Sequence, residues 1–301
     1  MKLFIKGVLL LLWMPALSFA QTTVSSRPVQ VMNVNSTPAI KSIKLSNNVR
    51  LQYVEQGDAR GIPVIFLHGY TDSWHSFETV LPHLPENVHA FVLSQRGHGD
   101  SDRPETGYNP KDFAADVALF MKQQKMNGAV IVGHSLGGLV AQRFALDHPK
   151  LCRGLVIVSS AASFADNAGV PEFLDMVEQL QDPVDKTFAE EFQKSTIAKP
   201  IDPAYFTALV GESMKLPARV WKSVARELRH VNYVAELKTI KQPVLILWGD
   251  KDLFCLKDDQ DQFQQHIRGA RVLVYEGIGH ALHWEEPERF ANDLLKFIID
   301  L

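Results

Sequence analysis

Six short apolar runs limit what this chain can fold into: Val64-Ile65-Phe66-Leu67, Ala90-Phe91-Val92-Leu93, Val130-Ile131-Val132, Leu155-Val156-Ile157-Val158, Val244-Leu245-Ile246-Leu247 and Val272-Leu273-Val274-Tyr275. A strand with one wet face alternates apolar and polar residues, and these do not. Unbroken runs of this length fit strands covered on both faces, and such strands belong to parallel sheets flanked by helices. Amphipathic stretches at 110–126, 135–147 and 285–299 supply the helices. Alternating strand and helix predicts an α/β fold with a mostly parallel central sheet and right-handed crossovers. Ahead of it, residues 43–45 and 49–54 flank Ser46-Asn47-Asn48 and read as a hairpin.

One interval departs from the alternation. Between the run ending near Ser159 and the one opening near Pro243 lie about 80 residues with no convincing strand and with helical faces at 171–180 and 217–228. A crossover between parallel strands needs about a dozen residues. The excess predicts an inserted helical cap over 160–242, leaving 41–159 and 243–301 as the α/β core. The competing reading is a surface excursion remote from any site. At roughly 100 to 200 residues per domain, 301 residues admit one large domain or two small ones, and the insertion selects the first. An apolar fraction of 46% with 22% charged residues suits a globular chain with a sizeable core. The 31 basic and 34 acidic side chains nearly cancel, and no run of five basic residues occurs. Phosphate binding needs clustered Lys and Arg, so a nucleic-acid partner is not expected.

The first twenty residues carry Lys2 and Lys6, an apolar stretch from Val8 to Leu17, and Ser18-Phe19-Ala20 with small residues three and one positions before a cut. That is the layout of a cleavable secretory signal peptide. A membrane anchor is the rival, but residues 7–20 fall short of the ~20 apolar residues of a span and Pro15 interrupts them. The expectation is export from a bacterial cytoplasm to the periplasm or medium, with no stable membrane insertion after cleavage. No cysteine lies near the cut and no twin-arginine pair precedes it, which favours the general export route. Residues 21–40, polar and Ser/Thr-rich with two prolines, read as a flexible leader. Cys152 and Cys255 fall at opposite ends of the predicted sheet and are expected to stay separate thiols.

The segment Ala129-Val130-Ile131-Val132-Gly133-His134-Ser135-Leu136-Gly137-Gly138 reads as a buried strand, a sharp turn and a helix. Such a turn crowds its own backbone, which calls for glycine on both sides of the serine and thrusts the serine out at the carboxyl edge of the sheet. The helix N-terminus there favours developing negative charge. Ser135 is thus a candidate nucleophile; the bland reading is a plain turn serine. A serine hydroxyl attacks only when a base takes its proton and a carboxylate holds that base. Of the 11 histidines, His148, His230, His266, His280 and His283 follow Ser135. His280 ends the glycine-rich turn Gly277-Ile278-Gly279-His280 after the last strand and is the candidate base. His283 is expected to pack or hydrogen-bond beside it, and His230 and His266 to lie on helical faces. For the acid, Trp248-Gly249-Asp250-Lys251-Asp252 follows the penultimate strand. Asp252 sits on a loop that can reach His280, Asp250 is placed to brace that loop, and Asp166, after the preceding strand, is a further alternative. Oxyanion charge needs two N–H donors, and the candidates are the backbone N–H groups of Leu136 and of Tyr70 in His68-Gly69-Tyr70.

Taken together these segments resemble the α/β-hydrolase family over residues 43–300. The matching stretches are Phe66-Leu67-His68-Gly69-Tyr70, Gln95-Arg96-Gly97-His98-Gly99-Asp100-Ser101, Gly133-His134-Ser135-Leu136-Gly137-Gly138, Trp248-Gly249-Asp250-Lys251-Asp252, and Gly279-His280 followed by Trp284-Glu285-Glu286-Pro287. The likeness is greatest to the bacterial branch of carboxylesterases, cofactor-free haloperoxidases (perhydrolases) and carbon–carbon bond hydrolases. The resemblance implies a triad of Ser135, Asp252 and His280, oxyanion donation by Tyr70 and Leu136, and a cap from about 160 to 242. Epoxide hydrolases and haloalkane dehalogenases are similar elsewhere but carry aspartate where Ser135 stands, so the serine argues against an alkyl-enzyme. The Arg96 to Ser101 turn is read as a brace for the neighbouring loop in preference to an anion site. His280 and His283, three apart with no further ligands, do not make a zinc site.

The expected function is an exported serine hydrolase, a carboxylesterase or lactonase, acting on a small-molecule ester or lactone with no cofactor and no metal. Phe164, Phe173, Phe188, Phe192, Tyr205, Phe206 and Trp221 would give the cap an apolar pocket, although some of them must pack the cap's own core. A carbon–carbon bond hydrolase or perhydrolase with the same triad is the alternative among enzymes. Outside them, a ligand-binding protein on the same scaffold is the alternative, since a fold does not dictate an activity.

Overall fold

A computed structural model of the chain describes residues 39–164 and 169–301. The expected signal peptide, the leader up to residue 38 and Asp166 lie outside the described residues. Eight strands follow in chain order: β1 (Ala39–Lys44), β2 (Arg50–Gln56), β3 (Ile62–Leu67), β4 (Val88–Ser94), β5 (Ala129–His134), β6 (Cys152–Val158), β7 (Val244–Gly249) and β8 (Arg271–Tyr275). They form one sheet in the order β1-β2-β4-β3-β5-β6-β7-β8. The pairs β1–β2 and β2–β4 are antiparallel and all the others parallel. The helices are α1 (Pro110–Gln123), α2 (Leu136–Asp147), α3 (Gly169–Glu178), α4 (Lys186–Ser195), α5 (Pro203–Met214), α6 (Ala218–Leu228), α7 (Lys257–His266), α8 (Leu282–Glu285) and α9 (Pro287–Ile299). Four of them, α3 to α6, fall between β6 and β7 and constitute the insertion.

The unbroken apolar runs have a direct cause in the packing. Along β3, Ile65 and Leu67 join one core and Val64 and Phe66 the other; β5, β6 and β7 divide in the same way. On one face Phe113, Val117 and Phe120 of α1, Phe144 of α2 and Trp221 of α6 cover the sheet. On the other, Phe77 and Val80, which precede β4, join Phe290, Leu294 and Phe297 of α9. Each central strand is dry on both sides and can place no polar residue on either.

Two expectations needed adjustment. β1 begins at Ala39, within the stretch read as leader, because residues 39–44 pair in register with Glu55 to Arg50 of β2. β8 is apolar in sequence yet lies at the sheet edge, with Leu273 and Val274 partly exposed. An edge strand has one neighbour, and here the Arg289 guanidinium stacks 3.7 Å over the Tyr275 ring and donates to the Val274 carbonyl. Both cysteines are buried and free, Cys152 opening β6 and Cys255 following β7.

The parallel register brings the loops that follow β3, β5, β6, β7 and β8 to one carboxyl edge: Leu67 pairs with Gly133, Gly133 with Ile157, Val158 with Leu247, and Gly249 with Tyr275. The turn between β5 and α2 is tightly seated there. A Cβ on Gly137 would stand 2.1 Å from the Leu67 carbonyl oxygen, and one on Gly133 2.1 Å from the Gly137 oxygen. Backbone cannot yield as a side-chain tip can, so Gly137→Ala should destabilise by several kcal/mol, on the scale of other severe overpacking defects (~3 kcal/mol or more). Gly211, exposed within α5, has no atom within 4 Å of its would-be Cβ. Gly211→Ala should instead stabilise by roughly 0.5–1 kcal/mol through helix propensity. Urea melts of both variants would check the pair, and similar midpoints would refute it.

Candidate active site

Ser135 occupies the turn between β5 and α2 with φ 52° and ψ −115°, a left-handed setting that a non-glycine residue adopts only when its surroundings impose it. The surroundings do so through the backbone. Its N–H donates to the Val158 carbonyl at 2.9 Å, and its carbonyl accepts from the Gly138 N–H and from the Ser160 hydroxyl at 2.8 Å. Its side chain is left facing the carboxyl edge, where Ser135 and His280 line the same cavity.

His280 sits in the loop after β8 and is buried; its Nδ1 lies 2.8 Å from Asp252 Oδ2. The carboxylate can only accept, so Nδ1 carries the proton and Nε2 offers its lone pair. Asp252 Oδ1 accepts from the N–H groups of Phe254 and Cys255 at 2.8 and 3.0 Å, which fixes the carboxylate on its loop. Asp250, the alternative acid, accepts from the Gly277 N–H at 2.6 Å and so ties the β7 loop to the β8 loop. His283 is fully buried, hydrogen-bonds Ser76 at 3.0 Å and stacks on Phe77. His230 and His266 are exposed. Asp252, Cys255 and His280 present ligand-type atoms within 4.8 Å of one another. The imidazole and carboxylate there are already bonded to each other, and burial pushes the Cys255 thiol well up, so the group is built for proton traffic more than for a cation.

The loop after β3 faces Ser135 from the other side. His68 is buried, held by the Gln95 N–H at Nε2 and donating from Nδ1 to the Gly69 carbonyl; burial keeps it neutral by pulling its pKa well down. Thr71 takes φ 65°, a second strained residue, and turns the chain so that Tyr70 borders the cavity. The Tyr70 N–H has no protein acceptor among the described residues. The Leu136 N–H opens α2, where the first-turn donors have no partner within the helix. Among the described residues, neither the Tyr70 nor the Leu136 N–H therefore has an intramolecular acceptor. The Arg96 turn braces this region: the guanidinium bonds both oxygens of Asp116 at 2.6 Å and the Gly107 carbonyl at 2.9 Å.

The cavity over Ser135 measures about 50 Å³ and is lined by Tyr70, Phe164, Phe173, Phe192, Phe254 and Leu228, besides the serine and His280. Of the cap aromatics, Phe188 and Trp221 pack behind it against Phe173 and Phe192, and Tyr205 ties α5 to the loop at His75. Chemically, the arrangement offers a hydroxyl, a base with a free lone pair, two N–H donors and an apolar chamber.

The α/β-hydrolase fold family profile matches residues 62–287. The chain belongs to the α/β-hydrolase family. Among its relatives, the AB hydrolase superfamily protein YisY of Bacillus subtilis is 29% identical over 267 residues, spanning 85% of this chain and 97% of that protein. A non-heme chloroperoxidase of Streptomyces lividans is 26% identical, spanning 85% and 99%. An esterase (EaEST) from Exiguobacterium antarcticum superposes with a TM-score of 0.78 at 24% identity, covering 86% of this chain and 98% of that one.

Three residues of this α/β-hydrolase's site escaped sequence reading: Asp72, His134 and Gln193. Asp72 is buried, and burial pushes its carboxyl up from 3.8 to about 7, against hydrogen bonds from Gln193 and Ser76. Below the ordinary carboxyl pKa both folded and unfolded states hold this proton. As pH rises toward 7 the unfolded chain ionises first, so the buried group subtracts stability progressively, on the order of 4 kcal/mol in all. Asp72→Asn removes the titration. The melting temperature of the variant should gain on wild type between about pH 4.5 and pH 8, and a difference constant across that range would contradict the burial argument.

Proposed function

We propose that the chain is an exported serine hydrolase that cleaves carboxylic esters or lactones of small apolar acids through an acyl-enzyme on Ser135. The observation that carries this reading is the pairing of His280 with Asp252 at 2.8 Å beside a cavity that His280 and the strained Ser135 share. In the reaction, Ser135 Oγ attacks the ester carbonyl carbon while His280 Nε2 takes its proton; Asp252 holds the imidazolium that forms. The developing oxyanion is received by the N–H groups of Tyr70 and Leu136, each worth about 3 kcal/mol in comparable sites. His280 then protonates the departing alcohol, and water, activated by the same base, frees the acid. The cavity's aromatic lining and modest volume support short acyl groups over long chains. Similarity to a non-heme chloroperoxidase supports a second use of the site, in which hydrogen peroxide replaces water in the last step and yields a peracid.

A fluorophosphonate probe should label the wild type and leave Ser135→Ala unlabelled. Asp252→Asn should lower kcat/KM by about three to four orders of magnitude, because the imidazole loses its orientation and its counter-charge. With p-nitrophenyl esters, acetate and butyrate should be turned over faster than decanoate. Turnover of a ring-fission dienoate alone would overturn the ester reading in favour of carbon–carbon cleavage.

Export is supported by Lys2, Lys6, the apolar stretch Val8 to Leu17 and Ser18-Phe19-Ala20. Expressed in a bacterial host, the protein should accumulate outside the cytoplasm with Gln21 as its first residue. An uncleaved cytoplasmic product would refute this.

A further inference from the structure

A second cavity meets the apolar one at Ser135. The second, of about 20 Å³, has a mixed wall: Tyr70, Phe192 and Trp284 line it together with the polar Ser135, His280, Asp72, His134, Gln193 and Thr196. A space of that size accommodates a single water, provided two or more polar atoms receive it.

With Asp72 ionised, above about pH 7, three side-chain atoms in this region, His134 Nδ1, Gln193 Oε1 and Asp72 Oδ2, are acceptors. His134 is buried, and burial together with the neighbouring His283 and His280 holds it neutral by pulling its pKa well down. Its Nε2 lies 3.1 Å from the His280 carbonyl and must donate, which leaves Nδ1 as a lone pair with no partner among the described residues. Gln193 spends both amide hydrogens, on Asp72 Oδ1 at 2.9 Å and on the Ser213 hydroxyl at 2.7 Å, and its Oε1 is likewise without a partner among the described residues. Asp72 Oδ2 accepts from the Ser76 hydroxyl at a long 3.3 Å. It faces His134 Nδ1 across 4.0 Å. Two acceptors at that separation are too far apart for a direct hydrogen bond and well placed for one water donating to both. Gly69 keeps the gap open, since a Cβ there would stand 2.7 Å from His134 Nδ1 and 3.1 Å from Asp72 Oδ2.

We propose that this second cavity holds, between Asp72 and His134, the water that cleaves the acyl-enzyme, with Asp72 as its positioning residue and His134 as its resting partner. The inference rests on the serine-esterase reading. The acyl group occupies the aromatic cavity, and the water stands on the other side of Ser135, anchored to Asp72 Oδ2 through one hydrogen. Its second hydrogen turns from His134 Nδ1 to His280, whose ring centroid is 4.8 Å from that of His134. The water oxygen then bonds the acyl carbon as His280 Nε2 takes the proton. The adduct collapses by breaking the bond to Ser135 Oγ, which receives that proton back from His280, and the carboxylic acid departs. Asp72 keeps its role throughout as an acceptor and exchanges no atoms with the substrate.

The test separates acylation from deacylation. In stopped-flow experiments with p-nitrophenyl acetate, Asp72→Asn should give a burst of about one p-nitrophenol per active site at nearly the wild-type rate, followed by a steady state slowed roughly tenfold or more. Labelling by a fluorophosphonate should stay as fast as in wild type. Burst and steady state falling together would assign Asp72 to the oxyanion loop's structure, and no change in either would remove its role altogether; both outcomes overturn the proposal. If wild type itself resists the probe, the esterase reading fails and this inference falls with it, a result distinct from the other two. Should Asp72→Asn not fold, a high-resolution crystal structure of Ser135→Ala decides. A water within hydrogen-bonding distance of both Asp72 Oδ2 and His134 Nδ1 is expected, and a dry gap or a direct contact between those side chains would overturn the proposal.

Discussion

The site depends on one close approach, that of the first turn of α2 to the end of β3. The Gly137 backbone lies so near the Leu67 and His68 carbonyls that even a methyl group would collide with both. The Ser135 turn and the loop after β3 therefore touch through main chain, without an intervening side chain whose rotamers would blur their spacing. The register of β3 on β5, with Leu67 beside Gly133, sets the two in line. Ser135 tolerates its left-handed backbone because hydrogen bonds to β6, to α2 and to Ser160 fix the peptide units on either side of it. Strain of that sort costs on the order of 1–3 kcal/mol and survives only where the surroundings over-determine the conformation.

Charge in the site is arranged by burial as much as by pairing. His68, His134 and His283 are enclosed and held neutral, so each is a fixed pattern of one donor and one acceptor. The two enclosed carboxylates are treated differently. Asp252 has two backbone N–H groups on one oxygen and the His280 ring on the other. Burial raises the proton affinity of Asp72, and the Gln193 amide and a distant Ser76 hydroxyl offset only part of that rise. The difference in donors suits the first to stabilising an imidazolium and the second to accepting from a small neutral molecule.

Much of the fold could be read from the sequence, for a physical reason. Strands buried on both faces permit no polar residue, so Val64 to Leu67 or Leu155 to Val158 announce themselves without any knowledge of their neighbours. The Gly133 to Gly138 turn shows in the sequence as well: Gly133 is crowded by its own turn's backbone, while Gly137 and Gly138 are pressed by Leu67 and by the Ser160 side chain across the sheet edge. The exposure of Leu273 and Val274 was hidden because an apolar run does not say how many strands flank it. Asp72 and Gln193 were hidden for a different reason. They are 121 residues apart, and each is an unremarkable polar residue until the cap folds over the loop. His134 lay in plain view within the serine motif, but its role turns on which ring nitrogen is used by the His280 carbonyl, and no local pattern encodes that.

The cap is better understood as a wall of the site than as a cover laid over it. From α6 the Trp221 carbonyl accepts the Tyr70 hydroxyl at 2.7 Å, and from α4 Gln193 donates to Asp72. Residues 70 and 72 flank the strained Thr71, whose own hydroxyl is 3.2 Å from that of Ser213 at the end of α5. Three cap helices thus hold three consecutive residues of the loop that borders Ser135. Were the cap to swing away as a rigid lid, Tyr70 and Asp72 would lose their buried partners, and an unsatisfied buried polar group costs about 1–3 kcal/mol. Motion of the whole cap would therefore displace Tyr70 and Asp72 together, because Trp221 and Gln193 hold both from the same layer.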